Sequence, residues 1–203
     1  MSSQILNITN LEKSFGGNKA VNQATFSIEQ GKITGLIGPN GAGKTTCFNC
    51  IAGSIMPDGG SIQFNKKDIT KLPPHKIFKL GIARTFQIPQ ELTMLTVEEN
   101  LLLTPKNQLG EKFYNNWFFG KKIQQQETQL QGRAHEILET VGLADKAKDL
   151  AGTLSGGQRK LLELGRALME NPELVLLDEP NAGVNPKLAN QLVTKIKDLI
   201  LKI

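Results

Sequence analysis

The sequence predicts an α/β fold with a helical insert. Three observations point there. A Gly-rich turn, Gly38-Pro39-Asn40-Gly41-Ala42-Gly43, lies between a short strand-like run and a helix-like run. The first third is rich in β-type runs, and the middle is rich in helix formers at helical spacing. Strands and helices alternating around such a turn are the pattern of an α/β sheet.

The elements follow in chain order. Ile5-Leu6-Asn7-Ile8 and Ala24-Thr25-Phe26-Ser27-Ile28 alternate apolar and polar residues, as half-buried strands do. Lys32-Ile33-Thr34-Gly35-Leu36-Ile37 reads as a short strand entering the glycine turn. Thr45 to Ala52 reads as a helix closed by Gly53. Ser61 to Phe64 and Ile82 to Phe86 resume strand. Thr96 to Leu103 and about Ile123 to Val141 read as helices, with Gly142 as the stop. Glu173 to Leu177, after Pro172, is apolar from Leu174 onward, which predicts a strand buried on both faces. Asn185-Pro186 then opens an amphipathic helix with Leu188, Leu192, Ile196 and Leu199 on one side.

Composition limits the function classes. The chain has 203 residues, about one to one and a half domains at ~150 residues each. With glycine counted, its apolar share is that of an ordinary globular protein. No run approaches ~18 consecutive apolar residues, and the N-terminus lacks the charged and apolar regions of a secretory signal. Two cysteines cannot build a disulfide framework, so a cytoplasmic address is expected. The net charge is +5, and only four of the 24 basic residues are Arg. That shortage argues against sequence-specific reading of DNA, and no nucleic-acid partner is expected.

Three motifs carry chemistry. Gly38-Pro39-Asn40-Gly41-Ala42-Gly43-Lys44-Thr45 matches G-x-x-x-x-G-K-[ST], after a strand-like run and before a helix-like one. Its glycines let backbone N–H groups curl toward phosphate oxygens, and the helix start adds partial positive charge. Lys44 suits the β- and γ-phosphates and the Thr45 hydroxyl suits Mg²⁺. The second motif is Leu174-Val175-Leu176-Leu177-Asp178-Glu179-Pro180, where an apolar strand delivers two carboxylates to its C-terminal end. There Asp178 can share the Mg²⁺ and Glu179 can polarise an attacking water. The third is Leu154-Ser155-Gly156-Gly157-Gln158, in which Ser155 is a candidate N-cap for a helix running to about Glu170. A second phosphate-sensing helix start is redundant within one chain, and makes sense if it closes on a nucleotide held by another copy.

Taken in order, Gly38 to Thr46, Leu154 to Gln158 and Leu174 to Pro180 resemble the ATP-binding cassette of ABC transporters, and the likeness covers essentially the whole chain. The resemblance implies an α/β P-loop NTPase core sheet with an N-terminal antiparallel β subdomain and an α-helical insert subdomain. Residues 1–203 would form one cassette: about 1–86 and 172–203 the core and β subdomain, about 87–171 the helical subdomain. The implied ligands are ATP and Mg²⁺. ATP would lie between the phosphate loop (Gly38, Pro39, Asn40, Gly41, Ala42, Gly43, Lys44, Thr45 and Thr46) of one subunit and Ser155, Gly156, Gly157 and Gln158 of a second, head-to-tail subunit. By the same resemblance Phe15 stacks on adenine, Val21 flanks the base, and Gln87 contacts Mg²⁺ and the water. Glu179, Gln87 and Lys44 are then the catalytic set, with Thr45, Gln87 and Asp178 at the metal. Asn181 to Asn185 would form the loop that crosses the dimer interface.

Ala83-Arg84-Thr85-Phe86-Gln87, Thr96 to Leu101 and Pro180 to Pro186 are similar to the branched-chain amino acid importers of bacteria, and the urea importers are equally close. That implies transmembrane permease subunits, indirectly a substrate-binding protein, and a place on the cytoplasmic face of the inner membrane. The competing readings are a soluble cassette acting on nucleic acid or ribosomes, and a nucleotide-binding module without catalysis. Lys44 and Ser155 are too close in sequence for the long coiled coil of the chromosome-structure branch.

The family pattern breaks in one place. Its switch histidine lies on a strand after the acidic pair, whereas His75 and His135 both precede it and none of the 24 residues after Glu179 is His. That strand runs between the phosphate-loop strand and the acidic strand. The expectation is therefore an incomplete copy of a longer protein, folding poorly and hydrolysing ATP weakly as it stands. Two other features keep two readings each. Phe113-Tyr114-Asn115-Asn116-Trp117-Phe118-Phe119 either packs inside the helical insert or meets membrane subunits or lipid. Cys47-Phe48-Asn49-Cys50 has C-x-x-C spacing, which suits a redox pair or half a zinc site, or simply core packing on the helix after the phosphate loop.

Overall fold

A computed structural model describes residues 4–85, 92–105, 120–178 and 194. They fall into two compact units, one of residues 4–84 with 173–178 and one of 85–172.

The first unit starts with a long hairpin. Strands β1 (Gln4–Phe15) and β2 (Asn18–Glu29) pair antiparallel from Gln4↔Glu29 to Phe15↔Asn18. The hairpin closes at Gly16-Gly17, and Gly16 at φ 58 takes the positive angle that tight hairpin turns need. Strand β3 (Gly59–Phe64) pairs antiparallel with the other edge of β1, and β4 (Lys67–Asp68) pairs with β3, giving the order β2-β1-β3-β4. Alternation sends Leu6, Ile8, Ile62 and Phe64 into one core. Helix α1 (Lys44–Ile51) buries Cys47, Cys50 and Ile51 in that core, and α2 (Pro74–Lys79) adds Ile77. Gly53 follows α1 at φ 72, and a Cβ there would stand 2.5 Å from the Leu72 carbonyl oxygen, so only glycine fits.

A second, parallel pair completes the unit. Strand β5 (Ile82–Arg84) runs beside β6 (Leu174–Leu176) with Ile82↔Leu174, Ala83↔Val175 and Arg84↔Leu176 in register. This pair delivers Arg84 and Asp178 to the same end.

Two strand expectations need correction. Lys32 to Ile37 forms no ladder, and Ile37 is 94% exposed and Ile33 57%. An apolar run becomes a strand only when neighbours satisfy its backbone and cover its side chains, and no described residue does so here. β6 is not buried on both faces either. Leu174 and Val175 are half-buried and only Leu176 is buried, because β5 is its sole partner among the described residues.

The second unit is helical. Helix α3 (Val97–Leu102), α4 (Gly120–Val141) and α5 (Gly156–Leu168) pack on one another through Val97, Leu101, Leu138, Leu162 and Leu164. Thr96 caps α3 in a reciprocal capping box with Glu99. Gly142 ends α4 at φ 75, the left-handed stop that a helix C-terminus favours. Arg133 on α4 donates from Nε to the Met169 carbonyl at 2.9 Å and from Nη2 to that of Leu168 at 2.8 Å. A cation thus satisfies the last carbonyls of α5 and meets the negative end of its dipole. No helix among the described residues is long and apolar enough to cross a membrane. Of the helix expected after Pro186 only Thr194 is described, and it is helical; the loop Asn181 to Asn185 and the aromatic run Phe113 to Phe119 lie outside the described residues.

Candidate functional site

The glycine loop is built from its own backbone. Gly41 and Gly43 sit at φ 83 and φ 80, and the Ala42 N–H donates to the Pro39 carbonyl at 3.2 Å. Gly43 is doubly constrained, since a Cβ there would lie 1.9 Å from the Ala20 carbonyl oxygen of β2. Lys44 braces the curl, its Nζ donating to the carbonyls of Gly38 at 2.7 Å and Pro39 at 2.8 Å. Gly38 is half-buried, while Pro39, Asn40, Gly41 and Ala42 are exposed. Helix α1 begins at Lys44 with no side-chain cap and no acidic residue in its first turn. Its free N–H groups and positive dipole end are therefore available to an anion.

The acidic strand meets this loop. The Thr45 hydroxyl, at the start of α1, donates to Asp178 Oδ1 at 3.4 Å across 133 positions of sequence. Asp178 is 7% exposed and Thr45 half-buried. Asp178 Oδ2 accepts from Arg84 Nη2 at 3.2 Å, and Arg84 Nη1 also donates to Asn49 Oδ1 on α1. Thr46 continues the helix, half-buried. Among the described residues no group of three or more His, Cys, Asp or Glu could cage a metal. Thr45 and Asp178 instead offer one hydroxyl and one carboxylate, the sparse oxygen set of a Mg²⁺ that takes its other ligands from water and substrate phosphate.

The end of the hairpin adjoins the loop. Phe15 is 50% exposed, with Lys13 Nζ 5.6 Å from its ring centroid. Lys13 is anchored in turn to Asp58 at 2.7 Å, and the Ser14 N–H donates to the other Asp58 oxygen at 2.7 Å. These two bonds, the Lys13 one first, hold the Asp58 carboxyl below the usual carboxylate range. Val21 is only 6% exposed and lies against Gly43. It supports the loop from below, which leaves Phe15 as the open aromatic face.

In the second unit, Ser155 caps α5 in a reciprocal box. Its Oγ accepts from the Gln158 N–H at 3.4 Å and its N–H donates to Gln158 Oε1 at 2.9 Å. Ser155 and Gly156 are exposed, Gly157 is buried and Gln158 half-buried. Nothing stands within 4 Å of where a Gly156 Cβ would be, so the backbone there is open to approach. Arg159 stiffens this start, donating from Nε to the Leu154 carbonyl at 3.0 Å and from Nη2 to that of Gly152 at 3.1 Å.

Gln87 and Glu179 lie outside the described residues. Cys47 and Cys50 are both buried, with the Cys47 thiol pushed by burial up to about 11. Sequence reasoning missed Arg84 and Asn49 as site residues. The available signal was an arginine, one of only four, at the end of a short apolar strand.

Comparison with known proteins places this architecture. A family model described as "ABC transporter" matches residues 21–182. A probable branched-chain amino acid transport ATP-binding protein of Archaeoglobus fulgidus is 44% identical over 97% of this chain and 75% of its own length. A high-affinity branched-chain amino acid transport ATP-binding protein of Pseudomonas aeruginosa is 40% identical over 100% of this chain and 78% of its own. A nucleotide-free ATP-binding cassette from an ABC transporter superposes with a TM-score of 0.83 at 42% identity, covering 98% of this chain and 78% of that one. A cassette solved in its ADP conformation gives the same TM-score at 41% identity, over 99% of this chain and 78% of that one. With its curled glycine loop, its acidic strand end and its capped Ser155 helix start, this chain belongs to the ABC transporter family.

Proposed function

We propose that this chain is the ATP-binding and ATP-hydrolysing subunit of an importer for branched-chain amino acids. The observation that carries the reading is the meeting of Thr45 and Asp178 at 3.4 Å beside a glycine loop braced by Lys44. The names of the relatives supply the substrate class.

In this reading the loop N–H groups and the start of α1 bind the phosphates, and Lys44 carries positive charge to the β/γ end. Phe15 presents its face to the adenine. Mg²⁺ held by Thr45 and Asp178 would neutralise charge developing on the phosphates. Glu179 takes the role of polarising the attacking water, and Gln87 that of reaching metal and water. A second subunit, head to tail, would close its Ser155-Gly156-Gly157-Gln158 start over the γ-phosphate. Ser155 is exposed and its helix start open at Gly156, as such an approach needs. Permease subunits at the cytoplasmic face of the membrane would receive the motion of closing and opening.

The test is made in the complete transporter. Glu179→Gln is expected to retain ATP in a closed dimer with turnover down at least ~10²-fold, and Lys44→Ala to lose nucleotide binding. Cells lacking the chain should lose uptake of labelled leucine and keep that of urea. Unchanged leucine uptake would overturn the substrate assignment, and unchanged turnover in Glu179→Gln would remove Glu179 from its role.

A further inference from the structure

The Asp178 carboxylate has two oxygens with two different partners. Oδ1 faces the Thr45 hydroxyl at 3.4 Å, and Oδ2 is taken by Arg84 Nη2 at 3.2 Å. Both side chains of the ion pair are sheltered, Arg84 at 12% and Asp178 at 5% exposure. The guanidinium does not stop there. Its Nη1 donates to Asn49 Oδ1, one turn beyond Thr45 on α1. Its Nε is buried with no hydrogen-bond partner among the described residues. One planar fork thus ties the acidic strand end to the helix that carries the phosphate loop, from a third element, β5.

A sheltered ion pair of this kind adds little stability beyond what an apolar pair would give. Its geometric consequence is larger. A carboxylate on a loop end can rotate about its Cβ–Cγ bond and offer either oxygen. With Oδ2 clamped from β5, only Oδ1 is left for the Thr45 side. The fork needs two N–H groups at fixed spacing, which Arg supplies and the single ammonium of Lys does not.

We propose that Arg84 is a positioning residue for the metal–nucleotide site. By bridging Asn49 and Asp178 it fixes which oxygen of Asp178 joins Thr45, and so sets the affinity of the site for the divalent cation that accompanies the nucleotide. This rests on the reading of Thr45 and Asp178 as the metal-holding pair. Partners of this kind, bonded to a ligand and not to the metal, typically change metal affinity 10–100-fold when replaced.

Two variants separate geometry from charge. Arg84→Lys keeps the positive charge and loses the fork. Asn49→Ala keeps the Arg84–Asp178 pair and loses its second anchor. The measurement is Mn²⁺ binding by electron paramagnetic resonance in the full-length protein, with the β,γ-imido analogue of ATP bound. Affinity for the analogue without metal and thermal unfolding without ligand are recorded in parallel. Arg84→Lys is expected to weaken Mn²⁺ at least about tenfold and Asn49→Ala about threefold, with metal-free nucleotide affinity within twofold of the parent. A merely structural arginine would lower the melting temperature and leave Mn²⁺ affinity within twofold in both variants, which overturns the proposal. Asp178→Asn guards the reading beneath it. If Asp178→Asn leaves Mn²⁺ affinity unchanged, the metal-holding pair itself is wrong. If it loses Mn²⁺ while Arg84→Lys and Asn49→Ala keep it, only the role of Arg84 fails.

Discussion

Gly43 carries two independent constraints. Its φ of 80 disfavours any side chain, and the Cβ of an alanine would sit 1.9 Å from the Ala20 carbonyl oxygen. Gly43→Ala must therefore push the loop off β2 or twist it out of its curl. The expected result is destabilisation of at least about 1–3 kcal/mol, with nucleotide affinity down more than tenfold. Gly41→Ala is the control, since it shares the positive φ and has open space around the new atom. It should be milder on both counts in calorimetry and nucleotide titration. Cys47 gives a second residue-scale prediction. Its thiol is pushed to about 11, first by burial and then by Cys50. At neutral pH it is a protonated, inert core group rather than a thiolate. Iodoacetamide should leave it unlabelled in the folded chain and label it within minutes in urea, and fast labelling of native protein would contradict the packing seen. The residues of the phosphate loop could be read from sequence because their chemistry is local: glycines, a lysine and a threonine at fixed spacing. Arg84 and Asn49 could not, because their role exists only once β5, β6 and α1 are brought together over separations of 94 and 35 positions.

At the scale of elements, legibility followed the source of each element's stability. The helices after Lys44, Thr96 and Ser155 carry their own signals, a glycine loop or a capping box, and they form where those signals stand. The run Lys32 to Ile37 reads equally well as a strand, yet pairs with no described residue, because a strand is stabilised by neighbours the local sequence does not name. Strand β1 offers a test of such remote support. Its Lys13 and Ser14 both bond Asp58, 45 and 44 positions away, and this pulls the Asp58 carboxyl below its ordinary ~3.9. A lowered pKa means the ionised form favours the folded state. That contribution is complete above about pH 4 and disappears as pH falls through the lowered native value. Asp58→Asn should therefore be less stable than the parent at pH 7, and the two urea curves should converge as the pH drops below 4. A gap that stays constant into acid would assign the effect to packing instead of the ion pair. Because Lys13 also sits over Phe15, the same variant should loosen the aromatic face and weaken adenine nucleotide binding modestly.

For the molecule as a whole, the exposed run entering the phosphate loop has the widest consequences. Ile33, Leu36 and Ile37 are 57%, 39% and 94% exposed, and Phe15 adds an open ring elsewhere on the same unit. Contiguous apolar surface whose backbone is unpaired among the described residues invites pairing with another copy. The 203-residue chain is therefore expected to bind a fluorescent apolar dye in its native state and to self-associate as concentration rises. Ile37→Lys tests the cause. Burying an isoleucine contributes roughly 1.5–3 kcal/mol, so a packed side chain would cost several degrees of melting temperature when replaced by lysine. An Ile37 that touches little costs almost nothing, and the added charge suppresses association. The expected outcome is an unchanged melting temperature, weaker dye binding and a sedimentation profile shifted toward monomer. A drop of several degrees with dye binding unchanged would mean that Ile37 is covered in solution. The run entering the phosphate loop would then be a paired strand after all, as its sequence pattern suggests.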